Sequence, residues 1–173
     1  MLTNLLRSEH IPYNIFFPMQ KDLTGCRDMF NAILGRCEIA EISEISIEYH
    51  PEPIKDYLGD HTAFDVYISY FDSDNHPCGI GIEVKYTENG YRIGGKEKAD
   101  IENPDGIYRQ MSEESNYFIS SLDIRSFIKA NHLRQIWRNH ILGYSMLRKD
   151  EIKRFHYIHL YPEGNKHFHQ YAV

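Results

Sequence analysis

Cysteine is scarce. Cys26, Cys37 and Cys78 are an odd set with no CxxC pair, which excludes a disulfide framework or a cysteine-built zinc site as the organising feature. Long apolar runs are missing too. No window approaches the roughly 18 consecutive apolar residues of a membrane-spanning helix. The first residues, Met1-Leu-Thr-Asn-Leu-Leu-Arg7, have neither the charged start nor the apolar stretch of a secretory signal. A cytoplasmic protein with no membrane partner is expected. There is no internal repeat, no low-complexity block and no excess of positive charge. The net charge of −6, taken alone, counts against nucleic acid as a partner.

What is present is ordinary material for a folded domain. The chain has 173 residues, 42% hydrophobic and 25% charged, with 13 Tyr and 9 Phe. One domain spanning 1–173 is expected, and the ending soon after a strand, with no obvious cap, leaves open whether the natural chain extends past Val173. Charge is unevenly spread. Residues 1–124 hold 10 Lys+Arg against 22 Asp+Glu, whereas residues 125–154 hold 8 against 2. The basic set is Arg125, Lys129, Arg134, Arg138, Arg148, Lys149, Lys153 and Arg154. Such a segment reads either as a phosphate-contact surface or as a solvated helix face.

The hydrophobic pattern predicts helix, three strands, a long connection, helix and strand. Leu2 to Glu9 reads as a short helix ended by Pro12, and Leu23 to Leu34 as a second helix stopped by Gly35. Ile42 to Tyr49 alternates, with Ile45, Ile47 and Tyr49 on one side. Phe64 to Phe71 alternates again, with Phe64, Val66, Ile68 and Tyr70 opposite Asp65, Tyr67, Ser69 and Phe71. After the turn cluster Asp72-Ser-Asp-Asn-His-Pro77, a third strand over Gly79 to Tyr86 sets Ile80, Ile82, Val84 and Tyr86 against Gly79, Gly81, Glu83 and Lys85. Residues 88–128 read as a polar, irregular connection, helical in part around Tyr117 to Ile128. Leu133, Ile136, Trp137, Ile141, Tyr144 and Leu147 mark an amphipathic helix, and Arg154 to Leu160 a last strand.

The short turn makes the second and third strands an antiparallel hairpin. With Ser73-Asp74-Asn75 as the loop, Asp72 pairs with His76 and Asp65 falls opposite Glu83, where Cβ atoms lie about 4.5–5.5 Å apart. Two carboxylates so placed repel, and a divalent cation between them resolves the conflict. Mg²⁺ takes oxygen ligands and keeps several waters. The Val84 carbonyl is a further candidate ligand. Lys85, two residues after Glu83, points to the same face and can hold an attacking water or neutralise a phosphoryl oxygen. Gly79 and Gly81 are expected to leave that face open. The competing reading is that all three are ordinary solvent-facing residues, since an E-x-K tripeptide is frequent by chance.

Asp65 followed by Gly79-Ile-Gly-Ile-Glu83-Val-Lys85-Tyr-Thr-Glu88 resembles the signature of the PD-(D/E)xK, restriction-endonuclease-like nuclease superfamily. Ser8-Glu9 with Asn14-Ile-Phe, Gln135-Ile-Trp-Arg-Asn-His-Ile-Leu142 and Leu160-Tyr-Pro162 extend the likeness, in order, to a little-characterised bacterial branch. Phe64 stands where the signature proline would be, a departure common in the superfamily. The resemblance implies an α/β fold with a mixed central sheet flanked by helices in the order α-β-β-β-α-β. It implies Asp65 and Glu83 as metal ligands, Lys85 as the catalytic lysine, and a Mg²⁺- or Mn²⁺-dependent nuclease, an endonuclease acting on DNA. Glu9, Glu48 and Gln135 are accessory candidates. Gln135, Arg138 and Asn139 share one helix face by i, i+3, i+4 spacing, and with Arg134 they are candidates for nucleic-acid contact. A homodimer is compatible. Of the C-terminal histidines, His156, His159, His167 and His169, none has the spacing and support of a zinc site. The rival functions are a non-catalytic nucleic-acid- or protein-binding module on the same fold, and an unrelated protein in which Glu-Val-Lys is surface decoration.

Overall fold

The computed structural model describes residues 8–86, 94–117, 131–166 and 169. Leu2–Arg7, Glu88, Arg125, Lys129, His167 and most of the helix expected over Tyr117 to Ile128 lie outside the described residues.

The first helix, α1 (His10–Met19), begins where the sequence reading ended it. Pro12 sits in its first turn and is buried. Proline is tolerated there because an amide in the first turn has no intrahelical acceptor to lose. Helix α2 (Leu23–Leu34) has the predicted bounds. The Asp22 carboxylate accepts the Gly25 N–H at 2.9 Å, and Gly35 closes the helix at φ 67°, a left-handed conformation that glycine adopts without penalty. The Asn31 amide then clasps both the N–H and the C=O of Ile39, fixing α2 to the first strand.

That strand, β1 (Ile39–Tyr49), buries Ile39, Ile42 and Ile45. A spacing of three keeps one face only if the strand bulges. The pairing with β2 (Phe64–Asp72) slips between Ile39 and Glu41 and again between Ile42 and Glu44, each slip absorbing one extra residue. Strict alternation was expected from the sequence, and the bulges are the correction. Strand β3 (Pro77–Val84) pairs antiparallel with β2, from Phe71 opposite Pro77 to Val66 opposite Ile82. This is the predicted register. Strand β4 (Arg154–Leu160) has the predicted bounds and adds to β3 in parallel, closing a mixed sheet of order β1-β2-β3-β4.

The connection between β3 and β4 is more regular than its composition suggested. It contains α3 (Gly95–Glu102) and α4 (Ile107–Glu114) before α5 (Asn131–Arg148). Two apolar layers result. On one face Phe16, Cys26 and Phe30 of α1 and α2 cover Val66, Ile68, Ile80, Ile82 and Val84. On the other, Trp137, Ile141 and Leu142 of α5 pack with Tyr108, Met111, Tyr67 and Phe64. Phe64 was expected beside Val66 and instead joins the α5 layer.

The glycines of β3 do not open that face; aromatic rings fill it. A Cβ on Gly79 would lie 2.0 Å from the Tyr67 hydroxyl, and one on Gly81 2.6 Å from the Phe64 ring. Tyr67 stacks on Tyr49 at 4.4 Å. On α5, a Cβ at Gly143 would meet Phe155 at 2.1 Å, so the helix lies close on β4 only because that position carries no side chain.

Candidate active site

The hairpin ladder stops at Val66 opposite Ile82. Hydrogen-bonded pairs alternate along an antiparallel ladder, and the Asp72 N–H donates to the His76 carbonyl. Counting on, Phe64 and Val84 should be the next bonded pair. Instead the Val84 N–H donates to the Asp65 carboxylate at 2.7 Å. The strands part at this end, and the Asp65 side chain enters the gap. In extended backbone a residue's C=O points to the same side as its N–H, so the Val84 carbonyl also faces the Asp65 side of β3.

Glu83 lies on the α5 side of this opening with 0% of its surface exposed. One carboxylate oxygen accepts from the Lys85 ammonium at 2.5 Å, the other from the Asn139 amide at 2.7 Å. Burial is the main force on its titration and pushes its pKa up to about 7; the Asp65 charge adds to the rise, while Lys85 and Asn139 oppose it. Tyr157 is half-buried; desolvation is the main force raising its pKa, and the charges of Glu83 and then Asp65 add to the rise. Asp65, Glu83 and Tyr157 therefore occupy one neighbourhood.

The parallel partner strand supplies the next wall. His159 lies beside Glu83 and Tyr157 beside Gly81. The Tyr157 hydroxyl is 2.5 Å from His159 Nε2 and 3.3 Å from the Asn139 amide. Burial, with the charges of Lys85 and His140, pushes the His159 pKa down to about 3, so a neutral imidazole stands beside the lysine. Neither Tyr157 nor His159 was singled out for the site from sequence, because a turn sets antiparallel register but nothing local sets the parallel one.

Helix α5 is fastened by consecutive residues. Trp137 donates its indole N–H to Ser112 at 2.8 Å. Arg138 donates to Asp60 at 2.9 Å, to Thr62 at 2.7 Å and to the Tyr108 hydroxyl at 3.1 Å. The Tyr108 hydroxyl also donates to Asp60. Arg138 thereby ties the helix to the loop just before β2, three residues from Asp65. Gln135 is half-buried and, with His61, Thr62, Ala63, Arg138 and Asn139, lines a cleft of about 210 Å³ beside the site. Glu9, at the start of α1, and Glu48, in β1 at φ 54°, are both exposed.

The expectation of an open phosphate-contact face on this helix needs correction. Arg134, Arg138 and Asn139 are 3%, 8% and 1% exposed; Arg138 turns inward onto the Asp60 loop and Asn139 onto Glu83. Among the described residues, the rest of the basic segment is offset by neighbouring acids: Arg148 by Glu114 at 3.1 Å, Lys149 by Asp56 at 3.6 Å, Lys153 by Asp150, and Arg154 by Asp72 at 3.2 Å. The Arg138–Asp60 pair is part-buried, with 30% of the Asp60 side chain exposed, so breaking it costs about 2 kcal/mol, between the values for exposed and fully buried pairs. Arg138→Ala should therefore lower stability to denaturant by about that amount and leave the salt dependence of nucleic-acid affinity unchanged. A phosphate contact would instead reduce that slope by about one.

Oxygen donors suit a hard divalent cation. Asp65, Glu83 and the Val84 carbonyl are such a set, and the buried Glu83 carboxylate has a like charge beside it. These residues fit Mg²⁺ or Mn²⁺. A second group, Asp72, Asp74 and His76, brings ligand atoms within 4.8 Å of one another at the far end of the hairpin. Its chemistry is that of a turn. The Asp72 carboxylate accepts the N–H groups of Asp74 at 3.0 Å and His76 at 2.8 Å and pairs with Arg154 at 3.2 Å, so its charge is already compensated.

The profile of the PD-(D/E)XK nuclease superfamily matches residues 1–173. The chain belongs to that superfamily, whose members are generally nucleases using divalent metals. No curated protein and no solved structure matches it. No helix among the described residues is long and apolar enough to cross a membrane.

Proposed function

We propose that the protein is a Mg²⁺- or Mn²⁺-dependent nuclease that hydrolyses phosphodiester bonds in DNA, with Asp65, Glu83 and Lys85 as its catalytic residues. The observation that carries this reading is the parting of β2 and β3, which sets the Asp65 carboxylate on the Val84 amide beside a buried Glu83 ion-paired to Lys85. Asp65, Glu83 and the Val84 carbonyl would hold the metal. Bound there, a divalent ion supplies Lewis acidity and a water of lowered pKa.

The protein's own groups do the rest. Lys85 is held against Glu83 by an ion pair and is 13% exposed. Its ammonium reaches the opening, where it orients the attacking water and neutralises charge building on a phosphoryl oxygen. His159, neutral beside it, adds no competing charge. The packed layer of Trp137, Ile141 and Phe64 behind Glu83 keeps bulk water away on that side and strengthens each electrostatic contact. A non-catalytic binding module on this fold has no need of two acids and a lysine gathered around one buried carboxylate.

The test is cleavage of plasmid, linear and single-stranded DNA, with RNA alongside, in Mg²⁺ or Mn²⁺ and in EDTA. Metal-dependent cutting of DNA is expected. Cutting that persists in EDTA contradicts the metal requirement, and cutting of RNA alone contradicts the substrate.

A further inference from the structure

We propose that Asn139 is the positioning residue of this site: its amide fixes the Glu83 carboxylate in its metal-facing orientation and so sets divalent-metal affinity. The inference rests on the reading of Asp65 and Glu83 as metal ligands.

Glu83 has two hydrogen-bond partners among the described residues, Lys85 and Asn139. Lys85 serves the reacting groups in the proposed chemistry, so Asn139 is the partner that remains with the carboxylate throughout. Its amide nitrogen is shared between Glu83 at 2.7 Å and the Tyr157 hydroxyl at 3.3 Å. The orientation of the amide is informative. Its carbonyl oxygen Oδ1 is buried with no hydrogen-bond partner. Buried polar atoms are nearly always satisfied, and an exception calls for a reason. Reversing the amide would set that carbonyl against a carboxylate, which also only accepts. The unsatisfied oxygen is the consequence of keeping the donor on Glu83. A residue present only for packing would be apolar and carry no such penalty.

The backbone that presents Asn139 is held just upstream. Trp137 is bonded to Ser112 of α4, and Arg138 to Asp60 and Thr62 ahead of β2. One turn of α5 therefore indexes Glu83 directly, while Arg138 fixes the loop that leads into Asp65. A group that orients a metal ligand typically changes metal affinity when removed, even though it never touches the ion.

Mn²⁺ binding to the full chain, measured by titration calorimetry without DNA, tests this. Asn139→Ala should weaken Mn²⁺ binding about 10–100-fold and raise the Mn²⁺ needed for half-maximal cleavage in proportion. The KM for DNA at saturating metal should stay within about threefold of wild type. Asn139→Leu keeps the same branched heavy-atom skeleton without a donor, and should show the same loss, covering the case in which the alanine variant fails to fold. Tyr157→Phe keeps the Asn139–Glu83 bond and should keep the affinity. Unchanged Mn²⁺ affinity in the Asn139 variants overturns the inference while leaving the metal site intact. Wild-type protein that binds no Mn²⁺ overturns the site and the inference together.

Discussion

Lys85→Ala should reduce metal-dependent DNA cleavage by about 10²–10³-fold or more, the range seen when one preorganised charge-stabilising donor is removed. Among the described residues, the ammonium is the only cation in hydrogen-bond contact with Glu83. The loss should appear in kcat and kcat/KM together, because the contact matters most as charge develops. The variant also deprives Glu83 of its compensating charge and raises its proton affinity further. Raising the pH should therefore recover part of metal binding in Lys85→Ala but little of the rate. Single-turnover cleavage at several pH values, with Mn²⁺ binding measured alongside, separates the two effects. Wild-type rates in purified Lys85→Ala would remove the lysine from the mechanism.

The second large effect lies in stability against pH. Folding raises the Glu83 pKa from 4.5 to about 7. The folded state then keeps a proton that the unfolded chain gives up, so this contribution is full below about pH 4.5 and lost as pH rises through 7. The loss is on the order of 3 kcal/mol. His159 acts in the opposite sense, since its depressed pKa makes stability rise with pH up to its unfolded value near 6.5. Comparing wild type with Glu83→Gln isolates the glutamate. In EDTA, wild type should lose on the order of 3 kcal/mol relative to Glu83→Gln between pH 4.5 and 8 in urea unfolding. Mn²⁺ should restore the difference at high pH in wild type only, because bound metal replaces the proton. A pH-independent difference between the two proteins would mean that Glu83 is ionised in the metal-free fold.

The hairpin register was legible in the sequence because it is local. The turn Asp72-Ser-Asp-Asn-His76 sets the register, and period-two alternation assigns the faces, so Asp65 and Glu83 could be paired on paper. The same logic missed Phe64, where the strands part and the ladder gives way to a side-chain bond. It missed the bulges in β1, which appear only when Ile42 and Ile45 must both reach the core. It also misjudged residues 88–128, whose polar α3 carries little apolar periodicity.

The larger errors concern polar residues. Gln135, Arg138 and Asn139 were correctly placed on one helix face, yet helical spacing does not say which way a polar face turns. Here it turns inward, because Asp60 and Thr62 wait for Arg138 and Glu83 waits for Asn139. Those partners are distant in sequence and lie in a loop and on a strand, so no periodic signal joins them. Pro12 was misread for a simpler reason: proline marks the first turn of a helix as readily as its end.

The most direct test of the central claim is the position of a bound ion. Crystals of the protein grown with Mn²⁺ should show an anomalous peak within about 2.5 Å of carboxylate oxygens of both Asp65 and Glu83, close to the Val84 carbonyl. A peak at Asp72, Asp74 and His76 instead, or none at the parted end of the hairpin, would contradict the account.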